Sequence, residues 1–247
     1  MKRIHWKILF SITLLGLSVL LHLLHYLIFR DAHHIFLYLL GDLAFLPVNV
    51  LLVTLVIEHL IRKQERHSMF KKLNMVIGAF FSEAGTELLK IFWKFDTNPE
   101  YMEEHLILDK NWKQADYYQL KKRFSAHKPE IDIRKGDVAH LKIFLGAKRE
   151  FFLRLLENPN LLEHETFTAL LWGVFHLTEE LFARHDLKNL PEADYEHLTG
   201  DIKRAYSLLI VEWIIYMRHL HYNYPYLFSL AIRTNPFDVT ISPIINK

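Results

Sequence analysis

Apolar and polar positions along this chain separate into two regimes that meet near residue 60. Residues 8–29, ILFSITLLGLSVLLHLLHYLIF, contain no Asp, Glu, Lys or Arg, and residues 35–57, IFLYLLGDLAFLPVNVLLVTLVI, contain one carboxylate. At about 1.5 Å per residue either run covers a bilayer core of roughly 30 Å. The intervening RDAHH allows only a tight helical hairpin. A cleaved signal peptide is rejected, because the second run follows at once and no small-residue cleavage pattern separates them. Beyond residue 60 apolar residues recur every three or four positions. Leu73, Val76, Ile77, Phe80, Ala84, Leu88, Ile91 and Phe95 form one stripe, so the second span is expected to continue into a long amphipathic helix.

Breakers divide the rest. NPEYMEEHL and HKPEIDIRKGD bracket a polar helix expected at about 100–125, and a strong helix is expected over 136–157, ending at ENPN. Segments 160–185 and 192–222 complete the set, with NLPEAD as the turn between them. TFTALLWGVFHL (166–177) and AYSLLIVEWIIYM (205–217) are too short to span and read as buried core helices. The fold class is therefore all-α: a two-helix transmembrane hairpin (1–60), a cytosolic helical bundle (61–222) and an aromatic, proline-containing tail (223–247) docked on the bundle or the membrane surface.

Charge orients the hairpin. Lys2, Arg3 and Lys7 precede the first span, and Arg62, Lys63, Arg66, Lys71 and Lys72 follow the second, so both termini are expected in the cytoplasm. The net charge of +2 gives no basic surface for nucleic acid. Without cysteine there are no disulfides, thiolate zinc sites or cysteine nucleophiles. A Gly-rich phosphate loop, a Gly-x-Ser-x-Gly elbow and a His-Glu-x-x-His motif are also lacking.

The tail motif YPYLFSLAIRTNPF, with the N-terminal hairpin, resembles a family of uncharacterised bacterial membrane proteins. The resemblance implies a bacterial inner-membrane protein and no particular activity.

The candidate chemistry starts inside the membrane. Ser11, Ser18, His22 and His25 share one face of the first span, and Tyr38, Asp42 and Asn49 one face of the second. Antiparallel register sets Asp42 beside His22 and Tyr38 beside His25, a polar seam that either locks the hairpin or lines a pore. Pro47 frees the carbonyl of Leu43 and marks a hinge. In the bundle Glu212, surrounded by apolar residues, needs a partner, for which His176 is the candidate. Other carboxylate–imidazole spacings are Asp137/His140, Asp194/His197 and His176 with Glu179 and Glu180, and His185-Asp186 echoes the metal-dependent phosphohydrolase dipeptide. The ferritin-type Glu-x-x-His is missing.

No cofactor is expected; a haem on His22 and His25, or a divalent metal in the bundle, are the minor alternatives. The leading reading is an oligomeric sensor, scaffold or regulatory subunit rather than an enzyme. A small oligomeric cation or proton channel lined by the second span is the alternative, and a metal-dependent enzyme in the bundle is third. Expected partners are membrane lipid and further copies of the chain.

Overall fold

A computed structural model describes residues 2–159, 161, 164–238 and 240–244. They form two compact units, Met1–Arg66 and His67–Lys247.

In the first unit α1 (Lys2–Phe29) turns through Arg30 and Asp31 into α2 (Ala32–Phe80). Arg30 adopts a positive φ of 51°, and Asp31 Oδ1 accepts the His34 backbone N–H at 3.2 Å, closing the first turn of α2. Ile8–Phe29 and Ala32–Glu65 are each long and apolar enough to cross a membrane, and none of the side chains in their most apolar stretches is buried. Pro47 lies inside α2 without ending it.

The second unit takes its core from Leu73 onward. The periodicity of the sequence is realised there: Leu73, Ile77, Phe80, Ala84, Leu88, Ile91 and Phe95 are all buried, with Val76 packed against them. The helical path from α2 passes through a π-helical turn, Phe81–Gly85, into α3 (Thr86–Trp93). The wider turn shifts the stripe by one residue, so Phe81, Leu89 and Phe92 join the core as well.

The polar helix expected at about 100–125 is two helices, α4 (Pro99–His105) and α5 (Gln114–Ala126). The chain between them leaves the helical path because Leu106 and Leu108 are drawn into the core. α6 (Val138–Leu156), α7 (Glu165–Ala183) and α8 (Glu192–Asn223) follow where periodicity sets them. Asp137 starts α6 by accepting the His140 N–H at 2.9 Å, so this carboxylate–imidazole spacing serves a helix cap. No strand occurs among the described residues; Asp96 and Ile131 make a single antiparallel bridge.

The tail turns at Tyr224 into α9 (Pro225–Arg233) and docks on the bundle. Phe228 and Phe237 are buried, and the Phe237 ring meets Trp213 at 5.3 Å and Trp93 at 6.3 Å. Asn235 pins this turn: its amide donates to the Leu106 carbonyl at 2.8 Å and its carbonyl oxygen accepts the Phe237 N–H at 3.0 Å.

Candidate functional site

Among the described residues, the buried polar side chains of Thr178, Asp201 and Glu212 lie on α7 and α8. α7 buries Phe167, Leu170, Leu171, Val174, Leu177, Thr178 and Leu181 at three- and four-residue spacing. Its N-terminus is capped by His164, whose Nδ1 accepts the Phe167 N–H at 3.2 Å. α8 opens with Glu192 and Asp194 in its first turn, where carboxylates oppose the helix dipole. The two helices run antiparallel in a constant register. Thr166 meets Glu212, a Cβ on Gly173 would meet the Ala205 Cα at 4.0 Å, and His176 meets Asp201. One turn further Glu180 meets His197, and Arg184 meets Asp194. Each step along α7 is matched by an equal step back along α8.

Two of these levels form one cluster. His176 and Glu180 are four apart on α7, and His197 and Asp201 are four apart on α8, so each pair shares a helix face. His176 Nε2 lies 3.5 Å from Asp201 Oδ2 and 3.7 Å from Glu180 Oε1. His197 Nε2 lies 3.5 Å from the same Asp201 Oδ2 and 3.6 Å from Glu180 Oε2. The imidazoles are half exposed, whereas Asp201 is only 3% exposed and its Oδ2 has no hydrogen-bond partner.

Two arginines also contact these carboxylates. Arg184 donates from Nη1 to Glu180 Oε2 at 2.6 Å, and from Nε and Nη2 to the two Asp194 oxygens at 2.7 and 2.6 Å. Arg204 Nη1 stands 3.2 Å from Asp201 Oδ1. The Arg184 hydrogen bond holds the Glu180 carboxyl below its ordinary range against a smaller opposing effect of burial, and the same arginine depresses Asp194. One ligand atom from each of His176, Glu180 and His197 lies within 4.8 Å of the others, which makes these three the residues able to hold a metal ion, and Asp201 Oδ2 stands 3.5 Å from both imidazoles.

The expected pair of His176 with Glu212 is corrected. The seam register puts Glu212 opposite Thr166, ten residues and therefore about 15 Å of helix from the level of His176. Glu212 is fully buried, accepts the Thr166 hydroxyl at 2.5 Å and has its pKa raised, chiefly by desolvation. Glu179 bonds Arg149 instead of joining the cluster, and Asp186, beside His185, accepts the Lys188 N–H at 2.8 Å in a turn.

Within the hairpin the seam does not close. His22 pairs through Nδ1 with the Ser18 carbonyl of its own helix at 2.8 Å, and its expected partner Asp42 is exposed and makes no hydrogen bond or ion pair among the described residues. The His25 ring sits against Phe29 at 4.8 Å and the Tyr38 ring against His34 at 5.3 Å, so these two do not meet either. Asn49 is exposed. Ser18, His22 and Tyr26 instead border an open groove with Ile35, Phe36 and Leu39.

Asp201 and the His197/Asp201 spacing escaped the sequence reading. The signal was present as His-x-x-x-Glu and His-x-x-x-Asp on the two helices flanking one short connection.

Fold and cluster define an all-helical protein in which an apolar hairpin precedes a bundle with a histidine–carboxylate centre. Residues 2–61 match a family model described as the N-terminal helical domain of MJ1433, and residues 69–233 match that of the C-terminal helical domain of uncharacterized protein MJ1433. The chain belongs to this family. Uncharacterized protein MJ1433 of Methanocaldococcus jannaschii is 46% identical over 233 residues, covering 94% of both chains. No solved structure matches the chain. The family is thus an uncharacterised one, and this relative is archaeal.

Proposed function

We propose that the chain is an integral membrane protein whose helical bundle works on the cytoplasmic side as a ligand-responsive sensor or regulatory module, without catalysing a reaction. The observation that carries this reading is the exposure of the hairpin. Large apolar side chains from Ile8 to Ile61 lie open around α1 and the first half of α2, while the bundle core begins only at Leu73. An apolar surface of that extent is stable against lipid and aggregates in water. The lysines and arginines before residue 8 and after residue 61 favour termini on the inside. Asp42 supports self-association: an unpartnered carboxylate on a lipid-facing helix costs several kcal/mol, and a second copy can satisfy it. If copies surround a common axis, Tyr38, Asp42 and Asn49 are the residues that would line it.

The cysteine-free chain makes the test direct. Single-cysteine variants His33→Cys, in the first turn of α2 beside the hairpin turn, and Lys188→Cys, in the α7–α8 connection, are treated with a membrane-impermeant maleimide. Labelling of His33→Cys in intact cells, and of Lys188→Cys only after permeabilisation, is expected. Release of the protein by alkaline carbonate, or the reverse labelling pattern, overturns the reading.

A further inference from the structure

We propose that His176 and Glu180 of α7, with His197 and Asp201 of α8, form a binding site for one divalent transition-metal ion, and that the ion is zinc. The proposal deepens the sensory reading by naming its ligand; the site itself stands on bundle geometry whether or not the hairpin lies in a membrane.

The donor spacing is the first argument. A four-coordinate zinc with nitrogen and oxygen ligands at about 2.0–2.1 Å has neighbouring donors about 3.3–3.4 Å apart. Both imidazoles here stand 3.5 Å from Asp201 Oδ2, while Glu180 faces His176 with Oε1 at 3.7 Å and His197 with Oε2 at 3.6 Å. Direct imidazolium–carboxylate hydrogen bonds would instead draw these atoms to about 2.7–2.9 Å. The observed distances are too long for that bonding and close to the edges of a shared coordination sphere.

Asp201 supplies the second, independent argument. Its Oδ2 is buried, accepts no hydrogen bond, and is approached equally by the Nε2 atoms of both histidines. A buried carboxylate oxygen that accepts no hydrogen bond costs free energy. A cation bound by both imidazoles would meet this oxygen directly.

The surroundings fit the same ion. Two carboxylates balance a 2+ charge when both imidazoles are neutral. Arg184 fixes Glu180 through Oε2, the oxygen that also faces His197, and donates two hydrogen bonds to Asp194, which balances its charge, as outer partners orient metal ligands. Arg204 orients Asp201 through the other oxygen and is 61% exposed, so water and salt screen its charge from the centre. The rings of His176 and His197, 47% and 50% exposed, leave an entry path from solvent. An N2O2 set is too rich in nitrogen for calcium or magnesium, which take oxygen ligands. The spacing also differs from the di-iron Glu-x-x-His pattern, since histidine comes first and the separation is four.

The test uses the full chain in detergent, stripped with a chelator and titrated with Zn2+ by calorimetry and with Co2+ by visible absorption. One ion per chain is expected, with the intense absorption of tetrahedral Co2+. His197→Gln and Asp201→Asn should each weaken Zn2+ binding at least 100-fold, and Arg184→Met by roughly 10-fold as an orienting residue. His140→Gln, an exposed histidine on α6, should leave binding unchanged. If Asp201→Asn fails to fold, the half-exposed His197→Gln carries the comparison. Absence of saturable Zn2+ binding, affinity unchanged in His197→Gln, or a preference for Ca2+ overturns the proposal. Failure of the membrane reading would show in fractionation and labelling, and would leave these titrations as they are.

Discussion

Replacing Gly85 with alanine sets two physical effects against each other and tests the packing of the π-helical turn. Gly85 has helical dihedrals, φ −63° and ψ −40°, so alanine should gain about 1 kcal/mol from helix propensity alone. A Cβ at this position would lie 2.6 Å from Phe80 Cε1 and 2.7 Å from Phe81 Cδ1. Neither ring can yield freely. Phe80 is wholly buried against Phe152 and Phe167, and Phe81 stacks on Tyr216 at 4.7 Å. Forcing a methyl into such packing costs about 1–3 kcal/mol, and two simultaneous clashes argue for the upper end. The net loss is then about 2 kcal/mol, which for a unit of this size lowers Tm by roughly 4–8 °C. Gly200→Ala is the control: it lies in α8 with open space around its Cβ, and should raise Tm by roughly 2–4 °C. Thermal melts followed by circular dichroism in one detergent measure both. A Gly85→Ala protein melting at or above the parent would refute the argument.

Glu212 yields a pH prediction. Its folded-state pKa is raised above 4.5, so the folded state favours the protonated carboxyl. That contribution to stability is complete below pH 4.5 and is lost as the pH climbs through the folded-state pKa. Glu212→Gln should flatten this decline, so denaturant midpoints compared from pH 4.5 upward should converge at the acid end and favour the variant at the alkaline end. Phe237→Ala should cost about 3–5 kcal/mol by emptying the space between Trp93 and Trp213, with loss of tail protection in hydrogen exchange as the local readout.

The hairpin and the apolar stripe were legible because both rest on local periodicity. Eight positions from Leu73 to Phe95 could be assigned to one face without knowing what covers it. The break between α4 and α5 was not legible, since Leu106 and Leu108 look like helix residues and leave the helix only because the core accepts them. The π-helical turn is marked only by Gly85, a signal shared with many uninterrupted helices. For the cluster, each spacing was visible among many similar ones, and only the inter-helix register selects His176, Glu180, His197 and Asp201 from the rest. The same dependence explains the His176–Glu212 correction. In the hairpin, register reasoning did not account for His22, because an imidazole can satisfy itself on the Ser18 carbonyl four residues back.

The constant register of α7 and α8 has a consequence for how this chain can change in length. One residue added between His176 and Glu180 turns one about 100° further around the helix from the other, and the same addition between His197 and Asp201 does likewise. An addition between Asp186 and Leu190, in the connection, alters neither internal spacing. Between Glu180 and His197, the connecting loop is therefore where the chain can lengthen while the paired helices keep step.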